Sequence, residues 1–387
     1  MDICSKMKIK IFYFAFLAFF LLSCSKNNGV IFQKISLEEA LKKAQQEDKL
    51  ILIDFFSTTC IPCIKLSRTV FRDPVMSGFI NKHFISLKIT DELSDYKDLK
   101  KKYNAWGLPT VLFLEGSGHE VDRNCGYDGD KDKYFKTITD YAANKNTLSS
   151  LIEAYKSDPL DVENNYRLAM KYVNRWEYEQ DGRYFENVLK LDLTDQHGHR
   201  EECLLNIAIN EFRDKKDIGP IRSFIQAGTN PELLSVAYDY LLGYLESAAD
   251  TAQYIAACEK AIERIPKKDV AYWRLLNYYN AKKDQVMLFK TLDRTVANLP
   301  EDTRYLNQYA WAIYENHVKD QYPKAIQMAQ KALELEPRAD QIWDTLAWIY
   351  YETGDKDKAI KAMEKAARLN PKEKRYQENL RKFRIKN

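Results

Sequence analysis

The chain has 387 residues, 45% hydrophobic and 30% charged, with a formal net charge of +3. That length suits two or three domains. Lysines and acids interleave along most of the chain and read as solvated helix faces, so nothing in the charge balance favours a nucleic-acid partner. The 25 tyrosines and 18 phenylalanines are enough to fill a large core.

Lys6, Lys8 and Lys10 precede an uncharged run at residues 11–22. A membrane-spanning helix needs about 20 apolar residues, so this shorter run reads as the apolar region of a signal sequence. The next stretch, Leu21-Leu22-Ser23-Cys24, resembles the bacterial lipobox. The resemblance implies a signal peptide at 1–23, acylation of Cys24 and a short tether at 24–30. The alternative is an ordinary signal peptide that happens to contain a cysteine. Both readings put the chain outside the cytoplasm, where disulfides persist. Cys60, Cys63, Cys125, Cys203 and Cys258 then remain. An odd number at scattered spacing suggests one working pair and several singles.

Along residues 31–146 short β-favouring runs alternate with helical patterns. "KLILIDFF" predicts a buried strand. Ser57, Thr58 and Thr59 are available as caps for a helix through "CIKLSRTVF". A strand follows at "HFISLKIT", then a helix at "DYKDLKKKYNAW". "PTVLFLE" and "EVDRNCGY" predict two further strands, with Gly116 and Gly118 in their turn. "DKYFKTITDYAAN" closes as a helix. This order predicts one central sheet with helices on both faces.

The pair Cys60-Ile-Pro-Cys63 lies between a strand and a helix. A thiol at a helix N-terminus faces unpaired N–H groups and the positive end of the macrodipole, which favour the thiolate. The second thiol, one turn on, can resolve a mixed disulfide. Pro62 is tolerated in the first turn because the amide it removes has no intrahelical partner. Two other readings stand beside this one. Structural zinc needs about four ligands, and neither a second Cys-x-x-Cys nor a histidine array is present, although His197 and His199 are close in sequence. A static structural disulfide is also compatible with the spacing.

The stretches "LILIDFFSTTCIPC" and "WGLPTVLFLEGSGHEV" together resemble thioredoxins. With "TVFRDPVM", the similarity is closer to the periplasmic C-terminal domain of the thiol reductase DsbD. The resemblance covers about residues 31–146 and implies the thioredoxin fold. It makes Cys60 the attacking thiol, Cys63 the resolving thiol and Pro109 a cis-proline whose loop faces the pair. The main chain at Leu108 pairs with substrate in relatives. Asp54 matches a buried acid that could relay the proton of Cys63, or serve only as a hydrogen-bonded strand-end carboxylate. Thr59 stands where many relatives have Trp, which puts the usual substrate preference in question. Cys125 is either a third redox thiol or, as free cysteines usually are, a small buried apolar residue.

From about residue 148 the strand patterns give way to helical periodicity. "IWDTLAWIYYETGDKDKAIKAMEKAARLNP" closely resembles the tetratricopeptide repeat, a 34-residue helix–turn–helix unit. Ala325, Ala332 and Pro337 lie 34 residues before Ala359, Ala366 and Pro371. Residues 147–231 read as degenerate helical repeats, 232–371 as repeats proper and 372–387 as a capping helix. The predicted fold class is thus an α/β thioredoxin fold followed by an all-α repeat solenoid. The predicted function is a lipid-anchored cell-envelope thiol–disulfide oxidoreductase that reduces protein disulfides. It needs no cofactor beyond its redox-active disulfide and takes electrons from a membrane thiol carrier. Its repeats bind protein partners. The alternatives are a non-catalytic protein-binding scaffold and a disulfide oxidase or isomerase.

Overall fold

A computed structural model describes residues 29–385. The predicted signal peptide and Cys24 lie outside the described residues. The chain divides into two compact units after Cys203.

In the first unit, α1 (Leu37–Glu47) starts at a capping box. Ser36 Oγ accepts from Glu39 N, and Ser36 N donates to the Glu39 carboxylate at 2.8 Å. That satisfies two of the amides that every helix start leaves unpaired. Then come β1 (Leu50–Phe56), α2 (Ile61–Thr69), α3 (Pro74–His83), β2 (Phe84–Thr90) and α4 (Tyr96–Lys102). β3 (Thr110–Leu114), β4 (Glu120–Cys125) and α5 (Lys131–Ala142) complete the α/β part. The strand order is β2-β1-β3-β4. β1 and β2 are parallel, while β3 is antiparallel to both β1 and β4.

β1 lies inside the sheet, and its side chains alternate between two apolar layers, as the pleat requires. Ile51, Ile53 and Phe55 join Ala40 and Ala44 of α1 on one face. Leu52 joins Leu66, Ile80 and Ile138 of α2, α3 and α5 on the other. Asp54 shares the parity of Leu52 and so belongs to the face that α2 covers. This is the arrangement that the thioredoxin resemblance implies. Two of its helices, α1 and α3, were not among the predicted elements.

Three helices follow within the same unit: α6 (Leu148–Ser157), α7 (Val162–Asn174) and α8 (Gly182–Leu191). Thr147 and Asp161 cap the first two. Leu168, Ala169 and Tyr172 of α7 are buried, on the face expected.

The second unit is helical. After α9 (Arg200–Lys215) and α10 (Gly219–Ala227) it pairs α11 (Pro231–Ser247) with α12 (Thr251–Arg264), and α13 (Tyr272–Lys282) with α14 (Gln285–Asn298). α15 (Thr303–Glu315) pairs with α16 (Tyr322–Leu335), and α17 (Asp340–Glu352) with α18 (Lys356–Leu369). Ala325, Ala332, Ala359 and Ala366 are fully buried where small residues let paired helices approach. A hydrogen bond repeats with the sequence. Tyr272 OH donates to the Pro266 carbonyl at 3.0 Å, and Trp343 Nε1 donates to the Pro337 carbonyl at 3.0 Å, each six residues back. The last helix, α19 (Lys374–Arg384), buries Tyr376, Leu380 and Phe383, and Phe383 stacks on Tyr351 at 4.4 Å.

Candidate active site

The cysteines sit beyond the C-terminal end of β1. Ser57 Oγ donates to Asp91 Oδ2 at 2.7 Å, which ties the turn after β1 to the residue after β2. Cys60 itself, rather than Ser57, Thr58 or Thr59, is the N-cap of α2. Its Sγ accepts from Cys63 N at 3.2 Å. The helix start thus aims an N–H group at a sulfur, the setting in which a thiolate is favoured. Cys60 and Cys63 are disulfide-bonded, with Cα atoms 5.3 Å apart. Cys60 is half-buried, whereas Cys63 is 1% exposed. Cys60 is thus the more accessible residue of the pair.

Asp54 lies on the β1 face that α2 covers and is 1% exposed. Burial raises its carboxyl above the ordinary aspartate value, and Lys88 only partly opposes that. Lys88 Nζ is 3.0 Å from Asp54 Oδ2, but neither carboxyl oxygen has an aligned hydrogen-bond donor. The β1–β2 register makes Asp54 and Lys88 partners. Lys88 Nζ also donates to Ser67 Oγ of α2 at 3.1 Å and lies 4.2 Å from the Phe56 ring centroid. The result is a buried acid of raised proton affinity on the face of the sheet beneath the cysteine helix.

The Leu108–Pro109 bond is cis. Thr110 pairs with Phe55, which brings the cis-proline loop beside the end of β1 from which the cysteine turn departs. Pro109 O accepts from Gly126 N at 2.8 Å, so the segment after β4 joins the same rim. Cys125 points its thiol at the Arg175 carbonyl oxygen, 3.5 Å away, with Thr110 Oγ1 at 3.9 Å. Burial pushes that thiol up to about 11, so it is protonated at neutral pH. Cys203 and Cys258 are buried, each pushed up to about 12 for the same reason.

Sequence reasoning missed what adjoins this rim. α7 ends in a Schellman turn: Glu177 N donates to Tyr172 O at 2.9 Å and Trp176 N to Val173 O at 3.0 Å. The residue at the left-handed position of such a turn is usually glycine. Here it is Trp176, with φ +59°. Its indole lies on the bare Cα of Gly107: a methyl group there would be 2.0–2.8 Å from three ring atoms. A methyl at Gly126 would meet the same indole at 3.4 Å.

A buried ion network fixes the end of α7. Asp122 of β4 is 0% exposed. Its carboxylate receives Arg175 Nη1 at 2.5 Å, Lys171 Nζ at 2.8 Å, Arg123 N at 2.7 Å and Leu148 N at 2.9 Å. Arg175 Nη2 also pairs with Glu120 and with Glu177, each at 2.8 Å. Burial disfavours the Arg175 charge, but Glu177, Glu120 and Asp122 outweigh it and hold the guanidinium above its ordinary value. Burial also lowers the Lys171 ammonium, against the pull of Asp122. These two cations correct the sequence reading of the helix charges as solvated: both are buried.

Comparison with known proteins agrees with the geometry. A thioredoxin-like domain model matches residues 37–142, and a tetratricopeptide repeat model matches 341–373. The chain joins a thioredoxin-like domain to tetratricopeptide repeats. The thiol:disulfide interchange protein DsbD of Colwellia psychrerythraea is 27% identical over 127 residues, 30% of this chain and 21% of that protein. DsbD of Tatumella citrea is 27% identical over 111 residues, 27% of this chain and 19% of that protein. The chain therefore spans about a fifth of these curated relatives. A Bacteroides thetaiotaomicron protein, solved in solution as a candidate disulphide-isomerase, is 38% identical. That match covers 30% of this chain and 96% of that one, with a TM-score of 0.28. The thioredoxin-like domain holds Cys60, Cys63, Asp54 and Pro109, all within the matched span. Among the described residues no helix is long and apolar enough to cross a membrane.

Proposed function

We propose that the protein is a cell-envelope thiol–disulfide oxidoreductase that reduces protein disulfides through Cys60 and Cys63. The observation that carries this reading is the asymmetry of the pair. An approachable sulfur at a helix N-terminus is bonded to a buried one, beside a cis-proline loop.

In the reduced protein the Cys60 thiolate attacks one sulfur of a substrate disulfide. A Cys60–substrate disulfide forms, and the other substrate sulfur leaves as a thiolate and takes a proton. Cys63, once deprotonated, attacks Cys60 Sγ. The Cys60–Cys63 bond forms, and the second substrate thiol leaves. Two electrons have passed from the dithiol to the substrate. Asp54 is the group suited to accept the Cys63 proton, because its raised affinity brings it closer to that of a thiol. A membrane thiol carrier is the reductant that returns the pair to the dithiol, since a periplasm-like compartment is kept oxidising. Acylation at Cys24 anchors the chain, and the repeats bind protein partners along the surface that stacked helix pairs present.

The test is a trap. Cys63→Ser cannot resolve the mixed disulfide, so it is expected to accumulate covalent complexes with substrate proteins, released by dithiothreitol. Cys60→Ser should accumulate none. Equal trapping by both variants, or by neither, contradicts the mechanism.

A further inference from the structure

Trp176 stands out on two independent grounds. It occupies a left-handed position that bulky side chains rarely adopt. Such outliers persist where the surroundings over-determine them, and they cluster at functional sites. The surroundings here are the two ends of the Schellman turn and the Arg175–Asp122 pair. Its indole is also laid on the two glycines that flank the cis-proline rim, Gly107 before it and Gly126 bonded across it.

The ring is not consumed by that packing. Trp176 remains 37% exposed, Trp106 next to Gly107 is 72% exposed, and Ile61 inside the cysteine pair is 78% exposed. An open cleft of about 770 Å³ begins at Cys125 and Gly126 and runs past Trp176, Tyr127 and Tyr166. Exposed apolar side chains thus stand on the cysteine turn and on the segments that carry the cis-proline rim, and the cleft lined by Cys125, Gly126 and Trp176 opens beside that rim.

We infer that Trp176, supplied by the helices that follow the thioredoxin-like domain, is a specificity-determining residue of the substrate groove. It selects an extended disulfide-bearing polypeptide with an aromatic or aliphatic residue beside the attacked cysteine. This rests on the oxidoreductase reading of Cys60. A single apolar contact of this kind separates substrates by roughly 10-fold to 200-fold.

The experiment uses the full chain, reduced and solubilised in detergent, and three disulfides. One is glutathione disulfide. The other two are glutathione-capped cysteine peptides, identical except for Phe or Ser beside the cysteine. Exchange is followed by acid quench and mass spectrometry. The wild-type protein is expected to favour the Phe peptide by about tenfold or more. W176A should bring the Phe-peptide rate down to that of the Ser peptide, changing the ratio of the two rather than all three rates alike. W176N, whose side chain tolerates the left-handed position, is expected to do the same and serves if W176A does not fold. An undiminished Phe preference in a folded variant overturns the inference. So does an equal loss with all three disulfides, which would make Trp176 a structural residue. Failure of the wild-type protein to reduce any of the three defeats the oxidoreductase reading instead.

Discussion

Replacing Asp122 by Ala removes the acceptor of four donors at once: Arg175 Nη1, Lys171 Nζ, Arg123 N and Leu148 N. Arg175 would still hold Glu120 and Glu177, but Lys171, whose ammonium burial already disfavours, would lose its carboxylate in a site from which solvent is nearly excluded. Removing one partner of a buried ion pair costs about 3–5 kcal/mol, because the other charge stays buried and unpaired. In a unit of this size each kcal/mol moves the melting temperature by roughly 2–4 °C, so Asp122→Ala should lower it by roughly 6–20 °C. The assay is differential scanning calorimetry on the full chain. The loss should appear only in the transition of the sheet-containing unit. Glu186→Ala is the control. It breaks the 3.4 Å pair with Lys190, in which both side chains are more than half exposed, and a surface pair is worth about 0–1 kcal/mol. If Asp122→Ala melted within about 2 °C of wild type, a shift worth no more than a surface pair, the network would be solvated in solution and the reasoning refuted.

Three further predictions concern other parts of the molecule. Burial raises the Asp54 carboxyl in the folded protein, so its stabilising contribution is full below the unfolded value and is lost as pH rises through the folded one. Asp54→Asn should therefore gain stability relative to wild type as pH is raised from about 4 to about 8, and a difference in melting temperature flat across that range would contradict the assignment. Cys125→Ser should leave exchange rates and trapped species unchanged, because the Cys125 thiol is pushed up to about 11; a slowed rate in stopped-flow would make it a working thiol. Ala366→Leu places a large side chain at a fully buried position of α18, in the cluster that also holds Ala347 and Phe383. It should cost about 1–3 kcal/mol of repeat-unit stability by urea denaturation, and a neutral result would mean that the helix pair packs loosely there.

Much of the candidate site was legible because its parts are local. Cys60, Cys63 and Pro62 form one motif, whereas Asp54 and Pro109 were named through the resemblance to thioredoxins, and the parity of Asp54 on β1 agrees with it. The helix at Leu37–Glu47 was missed although Ser36 and Glu39 spell its capping box, and the helix at Pro74–His83 was missed although Asp73-Pro74 marks its start. Those signals are short-range, but they carry weight only when set against an apolar period. The ion network is a different case. Asp122 meets Lys171 across 49 residues and Arg175 across 53. Helical lysines and arginines among acids look solvated in sequence, and only the docking of α7 on β4 buries these two. Trp176 hides for the same reason: the glycine-like demand of its position arises from a turn whose hydrogen bonds exist only in three dimensions.

The central claim is that Cys60 and Cys63 exchange electrons with a substrate disulfide. Its most direct measurement is the reduction potential of the pair in the full chain, by equilibration against a thiol buffer. A reversible two-electron couple near the roughly −270 mV of thioredoxin is expected for a reductant fed by a membrane carrier. A value near about −120 mV would replace the reductant with a disulfide donor. Absence of any reversible couple would contradict thiol exchange itself.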